Sequence, residues 1–316
     1  MLRIEGLTVG TDSADLVLDV DLELAPGETL CLVGESGCGK SQTCLAAMGL
    51  TAHPVKRKSG AVRFFDTELT ALGEHEFSDI RGRDLAMIFQ DASAALNPVK
   101  RVGDQVAEVL CVHRGLSRRE AMARAVELFE MVGIPQPPRR VRAYPHELSG
   151  GMCQRVMIAM ALACRPRLII ADEATTALDV TTQAQILRLL KSLQAETGAA
   201  MLFVTHDLGV VAEIADRVAV MYSGRIVELA DADALFTAPQ HPYTQGLLAC
   251  RLHVSSTAPA RLDAIEGTVP TPASRPQGCA FRMRCLRASE TCHRLPALAP
   301  MGTGQLVACH FPGGAA

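Results

Sequence analysis

The octapeptide Gly34-Glu35-Ser36-Gly37-Cys38-Gly39-Lys40-Ser41 constrains this chain more than any other stretch. It follows the apolar run Thr29-Leu30-Cys31-Leu32-Val33, which reads as a buried strand, and it leads into residues 41–50, which read as a helix. Glycines let backbone N–H groups close around phosphate oxygens, and a helix N-terminus adds a field that favours an anion. Lys40 can reach the β- and γ-phosphates of a nucleotide, and the Ser41 hydroxyl can supply an oxygen to Mg²⁺. A chance glycine-rich turn would have no reason to sit between a strand and a helix.

Other segments fit an α/β chain with a parallel sheet. Residues 2–9 and 16–24 alternate apolar and polar side chains, and Pro26-Gly27 marks a turn. Apolar positions recur at helical spacing from Val106 to Val132, with a helix start at Ser117-Arg118-Arg119-Glu120, and Ile134-Pro135-Gln136-Pro137-Pro138 ends that stretch. Two further buried strands are expected at Leu168–Ala171 and Ala200–Val204, with a helix between them from Thr182 to Glu196. Past residue 236 the chain becomes proline-rich and reads as an irregular extension.

At 316 residues there is room for one large domain and an appendage, and 48% hydrophobic with 21% charged residues is ordinary for a soluble chain. A net charge of −3 argues against a general nucleic-acid binder. No apolar run approaches the ~20 residues of a membrane-spanning helix, and the N-terminus lacks the apolar core of a signal peptide. The expectation is a cytoplasmic protein that meets a membrane only through partners.

The polar residues that follow the strands complete a site, because ligands of such sheets bind at the carboxyl ends of the strands. Asp172 can hold Mg²⁺ through its water shell, and Glu173 beside it can act as general base toward the attacking water. Ser149, Gly150 and Gly151 open another helix and offer a second anion site. A single nucleotide does not need two such sites in one chain. Two chains do, if each chain's serine-glycine site closes the other's phosphate loop.

With these residues in place, the sequence resembles the ATP-binding subunits of ATP-binding cassette (ABC) transporters. The resemblance rests on residues 34–41, Gln90 after Leu85-Ala86-Met87-Ile88-Phe89, Leu148-Ser149-Gly150-Gly151, Asp172-Glu173, the Ala177-Leu178-Asp179 loop and His206. It implies a P-loop NTPase (RecA-like) core with an antiparallel β subdomain, an inserted helical subdomain near residues 91–160, and ATP with Mg²⁺ as ligands. It also implies that Gln90 touches Mg²⁺ or the water and links the site to the membrane partner. In the same family pattern His206 contacts the γ-phosphate and aligns Glu173, while Asp179 works across a dimer interface.

Phe89-Gln90-Asp91, Leu96-Asn97-Pro98-Val99, the segment His241 to Leu248 and the cysteine-bearing tail resemble the peptide-import branch, whose members carry dipeptides, oligopeptides or nickel. That places an ATP-binding domain at residues 1–235 and a peptide-importer extension at 236–316. It implies a second, related ATP-binding subunit, two membrane permease subunits, an extracytoplasmic peptide-binding protein, and a position on the cytoplasmic face of the inner membrane. A nickel or glutathione importer, or a soluble ABC protein without membrane partners, are the alternatives. The tail's Cys279, Cys285, Cys292 and Cys309 lack the close Cys-x2-Cys pairs of common zinc sites. They could hold a [4Fe–4S] cluster, as this branch is thought to, or zinc, or nothing. Arg275, Arg282, Arg284, Arg287 and Arg294 surround them and would offset thiolate charge. Two departures stand out. Thr11 occupies the position of an adenine-stacking aromatic residue, and Cys38 puts a thiol near a helix N-terminus, where it tends toward thiolate.

Overall fold

The computed structural model describes residues 1–175, 178–252, 265–302 and 304–313. Its elements begin with β1 (Leu2–Gly10), β2 (Asp15–Leu24), β3 (Thr29–Val33), α1 (Lys40–Ala47), β4 (Lys56–Phe64), β5 (Thr67–Glu68), α2 (Glu74–Ile80) and β6 (Leu85–Ile88). A helical stretch follows, with α3 (Ala92–Ala95), α4 (Val102–Arg114), α5 (Arg118–Met131), α6 (Pro137–Arg140) and α7 (Gly150–Leu162). Then come β7 (Leu168–Asp172), α8 (Val180–Thr197), β8 (Ala200–Val204), α9 (Leu208–Ile214), β9 (Arg217–Tyr222) and β10 (Arg225–Asp231). The last elements are α10 (Ala232–Thr237), α11 (Pro242–Leu252), β11 (Ala299–Met301) and β12 (Gln305–Val307).

The chain divides into two compact units, and both are discontinuous in sequence. One unit comprises Leu24–Glu28 and Ala71–Val204. Its strands β6, β7 and β8 run parallel, with Leu85 opposite Leu168 and Leu168 opposite Ala200. Every residue of the three strands is buried, as expected for parallel strands covered on both faces. The helices α3 to α7 follow β6 and run from Ala92 to Leu162 in the chain. Ser117 and Glu120 cap α5 reciprocally, and Gly115 ends α4 at φ 65°.

The other unit comprises Leu2–Glu23, Thr29–Thr70 and the chain from Thr205 onward. It holds an antiparallel sheet in the order β2-β1-β4-β5. It also holds β3, parallel to β9 (Leu30 opposite Arg217), with β10 antiparallel to β9. Here the structure corrects the sequence reading. The stretch beyond residue 236 is not wholly irregular, because it forms α11 and a short β11–β12 hairpin that adds to β10 through Glu228 opposite Val307. Buried Glu228 accepts the backbone N–H groups of Gln240 (2.8 Å) and His241 (2.9 Å), which fixes the entry to α11. Among the described residues no helix is long and apolar enough to cross a membrane.

Candidate functional site

In the second unit, β3 delivers the chain into the glycine-rich loop. Gly34 lies at φ 152° with no room for a side chain, since a Cβ there would meet the Met221 carbonyl at 2.2 Å. Gly39, at φ 111°, is the N-cap of α1. Lys40 is buried against the loop, its Nζ donating to the carbonyls of Gly34 (2.8 Å) and Glu35 (3.0 Å). The Thr205 N–H donates to the Leu32 carbonyl (3.4 Å), so His206 emerges at the carboxyl end of β3 beside that loop. His206 is exposed, and Asp207 after it caps α9 by accepting the Gly209 N–H at 2.7 Å.

Cys38 departs from the sequence reading. It is fully buried 3.6 Å from Lys40 Nζ, and burial pushes its thiol up despite the lysine. Desolvation outweighs the opposing Lys40 charge and hydrogen bonds here. Thr11 closes the β1–β2 turn, its hydroxyl accepting the N–H groups of Ser13 (3.3 Å) and Ala14 (3.2 Å).

The first unit carries the carboxylates. Asp172 ends β7 and is buried, and Glu173 follows it in the left-handed region at φ 48°. Few non-glycine residues are held there without compensation. Two backbone anchors supply it: the Glu173 N–H donates to the Val204 carbonyl (3.0 Å), and the Ala174 carbonyl accepts from Gln154 Nε2 (2.8 Å). Gln90 Nε2 donates to Glu173 Oε2 at 2.9 Å, so these two sequence-predicted residues are brought together.

Gln154 lies on α7, whose N-cap is Ser149. The Ser149 hydroxyl accepts the Met152 N–H at 3.3 Å, and both Ser149 and Gly150 are exposed. Sequence reasoning missed Gln154. The signal was its place one helical turn beyond Gly150, on a helix that packs against β6. Asp179 is exposed and caps α8, accepting from the Thr182 N–H (2.9 Å) and hydroxyl (2.8 Å). Those bonds, the backbone one foremost, hold its carboxyl below the usual range. Ala177, in the same loop, lies outside the described residues.

The four tail cysteines line one small cavity in the second unit, together with His241, Arg282, Arg287 and His310. Burial pushes the thiols of Cys279, Cys285 and Cys309 up, with Cys279 reaching about 11. As a donor set, four thiols on one cavity suit a soft centre. Among the described residues, however, no group of three or more side chains is placed to hold a metal ion. The arginines also serve other ends than charge balance. Arg275 bonds Ser223 Oγ (3.1 Å) and the Asp15 carbonyl (2.9 Å), and Arg284 pairs with Glu35.

The model of the ABC transporter family matches residues 17–176, and that of the oligopeptide/dipeptide transporter C-terminal region matches residues 227–292. A putative peptide import ATP-binding protein of Brucella melitensis is 53% identical over 292 residues, covering 88% of this chain and 85% of its own. The oligopeptide transport ATP-binding protein OppD of Salmonella typhimurium is 47% identical, covering 97% of this chain and 91% of its own. Among solved structures, a dimeric ATP-binding cassette in a post-hydrolysis state, bound to ADP and Pi, aligns with a TM-score of 0.68 at 30% identity. The alignment covers 73% of this chain and 99% of that one.

Proposed function

The chain belongs to the ABC transporter family, within its oligopeptide and dipeptide importers, and from that premise we propose that it is the ATP-hydrolysing subunit powering peptide import. The fold is the α/β P-loop NTPase of that family. ATP with Mg²⁺ is its nucleotide, and the ATPase works as a dimer with membrane permease partners. The finer assembly is a related second ATP-binding subunit, two permease subunits and an extracytoplasmic peptide-binding protein, with this chain on the cytoplasmic face of the inner membrane. Residues 1–235 form the ATP-binding part and 236–316 the importer extension.

Residues 34–41 cradle the phosphates, and Ser41, Gln90 and Asp172 serve Mg²⁺. Glu173 takes a proton from water as the water oxygen attacks the γ-phosphorus and ADP leaves. His206 senses the γ-phosphate. Ser149, Gly150, Gly151 and Asp179 act on the nucleotide of the facing subunit, which accords with the exposure of Ser149, Gly150 and Asp179. The observation that carries the catalytic reading is the 2.9 Å bond from Gln90 to Glu173, whose backbone is pinned in an unfavourable conformation beside buried Asp172. Replacing Glu173 with Gln tests it: ATP binding is retained and hydrolysis is lost. Undiminished hydrolysis would remove Glu173 from the base role.

Support for a [4Fe–4S] cluster in the tail is confined to the convergence of Cys279, Cys285, Cys292 and Cys309 on one cavity. Iron and acid-labile sulfide in protein purified without oxygen would establish it, and finding neither would exclude it. Nickel or glutathione as cargo would leave the ATP chemistry unchanged, and the peptide-import relatives favour peptides.

A further inference from the structure

The phosphate loop contains a carboxylate, Glu35, in a site that must accept a polyanion. An unneutralised carboxylate there repels phosphate. The structure shows how this charge is handled. Arg284, from the cysteine-bearing tail, grips Glu35 with both arms: Nη1 reaches Oε2 at 2.6 Å and Nη2 reaches Oε1 at 3.0 Å. The arginine side chain is only 5% exposed and the Glu35 side chain 30%. Bidentate guanidinium–carboxylate pairs are directional as well as strong.

The remaining arginine donors are also used. Nε donates to the Glu266 carbonyl (2.8 Å), Nη2 to the Ile265 carbonyl (3.1 Å), and Nη1 to the Tyr222 hydroxyl (3.4 Å). All five N–H groups of the guanidinium therefore have an acceptor. A second tail residue holds the same loop position, because the Tyr243 hydroxyl accepts the Glu35 N–H at 2.8 Å. Tyr243 is itself fixed by ring contacts with Tyr222 (4.7 Å between centroids) and Phe281 (5.4 Å). Its phenol stays protonated, since burial pushes it further up.

We propose that Arg284 is a positioning residue for the ATP site, drawing the Glu35 carboxylate away from the phosphates and cancelling its charge, so that the C-terminal tail sets nucleotide affinity. The tail is thereby a working part of the site rather than an appendage. Arg284 directly precedes Cys285, so whatever orders the cysteine segment also orders this clamp. The inference rests on the loop binding ATP as proposed above.

The test is Mg-ATP binding by the full-length chain, with folding followed by thermal melting. Arg284→Ala weakens binding about tenfold, the size of the repulsion between an unneutralised, partly exposed carboxylate and a nearby phosphate, and Arg284→Lys recovers part of the loss. Glu35→Gln removes the charge that Arg284 answers, and its own affinity is the reference for the double variant. In the Glu35→Gln background, Arg284→Gln binds within about threefold of the Glu35→Gln protein, because the charge it answered is gone. This pair also serves if Arg284→Ala fails to fold. Full affinity in folded Arg284→Ala overturns the proposal, and so does an undiminished loss in the double variant, which would mean a purely structural role. Lys40→Ala separates the two readings. If it binds ATP normally the site itself is wrong, whereas its failure to bind alongside a normal Arg284→Ala overturns only the clamp.

Discussion

Replacing Gln154 with Leu keeps the volume of a side chain that is 1% exposed while removing the donor to the Ala174 carbonyl. A buried carbonyl left without a partner costs about 1–3 kcal/mol. The same bond is one of two that hold Glu173 at φ 48°, a conformation that itself stores about 1–3 kcal/mol. Once that anchor is lost, relaxation of the turn is downhill by a comparable amount and carries the carboxylate away from Gln90. Each ~1.4 kcal/mol of lost positioning is a tenfold loss in rate. The ATPase kcat of the assembled transporter should therefore fall about ten- to a hundredfold. KM for ATP should hold, because neither anchor touches residues 34–41. Steady-state hydrolysis at varied ATP, on protein shown by melting to be folded, reads both constants. A kcat within about twofold of the parent would refute the reasoning, as would a loss confined to KM.

Cys38 should resist alkylation in the native protein while half-exposed Cys111 reacts, as read by mass spectrometry of partially labelled samples; early modification of Cys38 would contradict its burial. With Thr11 closing a turn and no aromatic residue before Phe64, GTP should be hydrolysed at a rate within about tenfold of ATP, and strict ATP selectivity would show that another group reads the base. Burial raises the Glu228 carboxyl above its unfolded value, so the folded state binds that proton more tightly. Its stabilising contribution is present below the unfolded pKa and is lost as pH rises through the folded one. The melting temperature of Glu228→Gln relative to the parent should thus improve from pH 4 to pH 7, and a constant difference would refute the shift.

The parts of this molecule that sequence made legible are those with a local cause. β3 and β8 begin and end where their apolar runs do, because strands buried on both faces have no polar phase to blur the limits. Ser117 and Glu120 mark the start of α5 by reciprocal capping within four residues. What stayed hidden depends on distant partners. α11 begins at Pro242, and a proline tolerated at the first helical position reads as a breaker in a run of prolines. β11 and β12 have three residues each and take their order from pairing with each other and, through β12, with β10. Glu35 and Arg284 stand 249 residues apart, so no spacing rule could join them. Cys38 lies where a helix field would activate a thiol, and only three-dimensional burial shows that desolvation wins.

The central claim, that ATP hydrolysis by this chain powers peptide import, is tested most directly in reconstituted vesicles containing the full transporter. The measurement is ATP-dependent translocation of a labelled oligopeptide, with the parent chain set against Glu173→Gln. The account predicts accumulation with the parent and none with the variant. Translocation at the parental rate by Glu173→Gln, or ATP hydrolysis by the parent without any peptide movement, would contradict it.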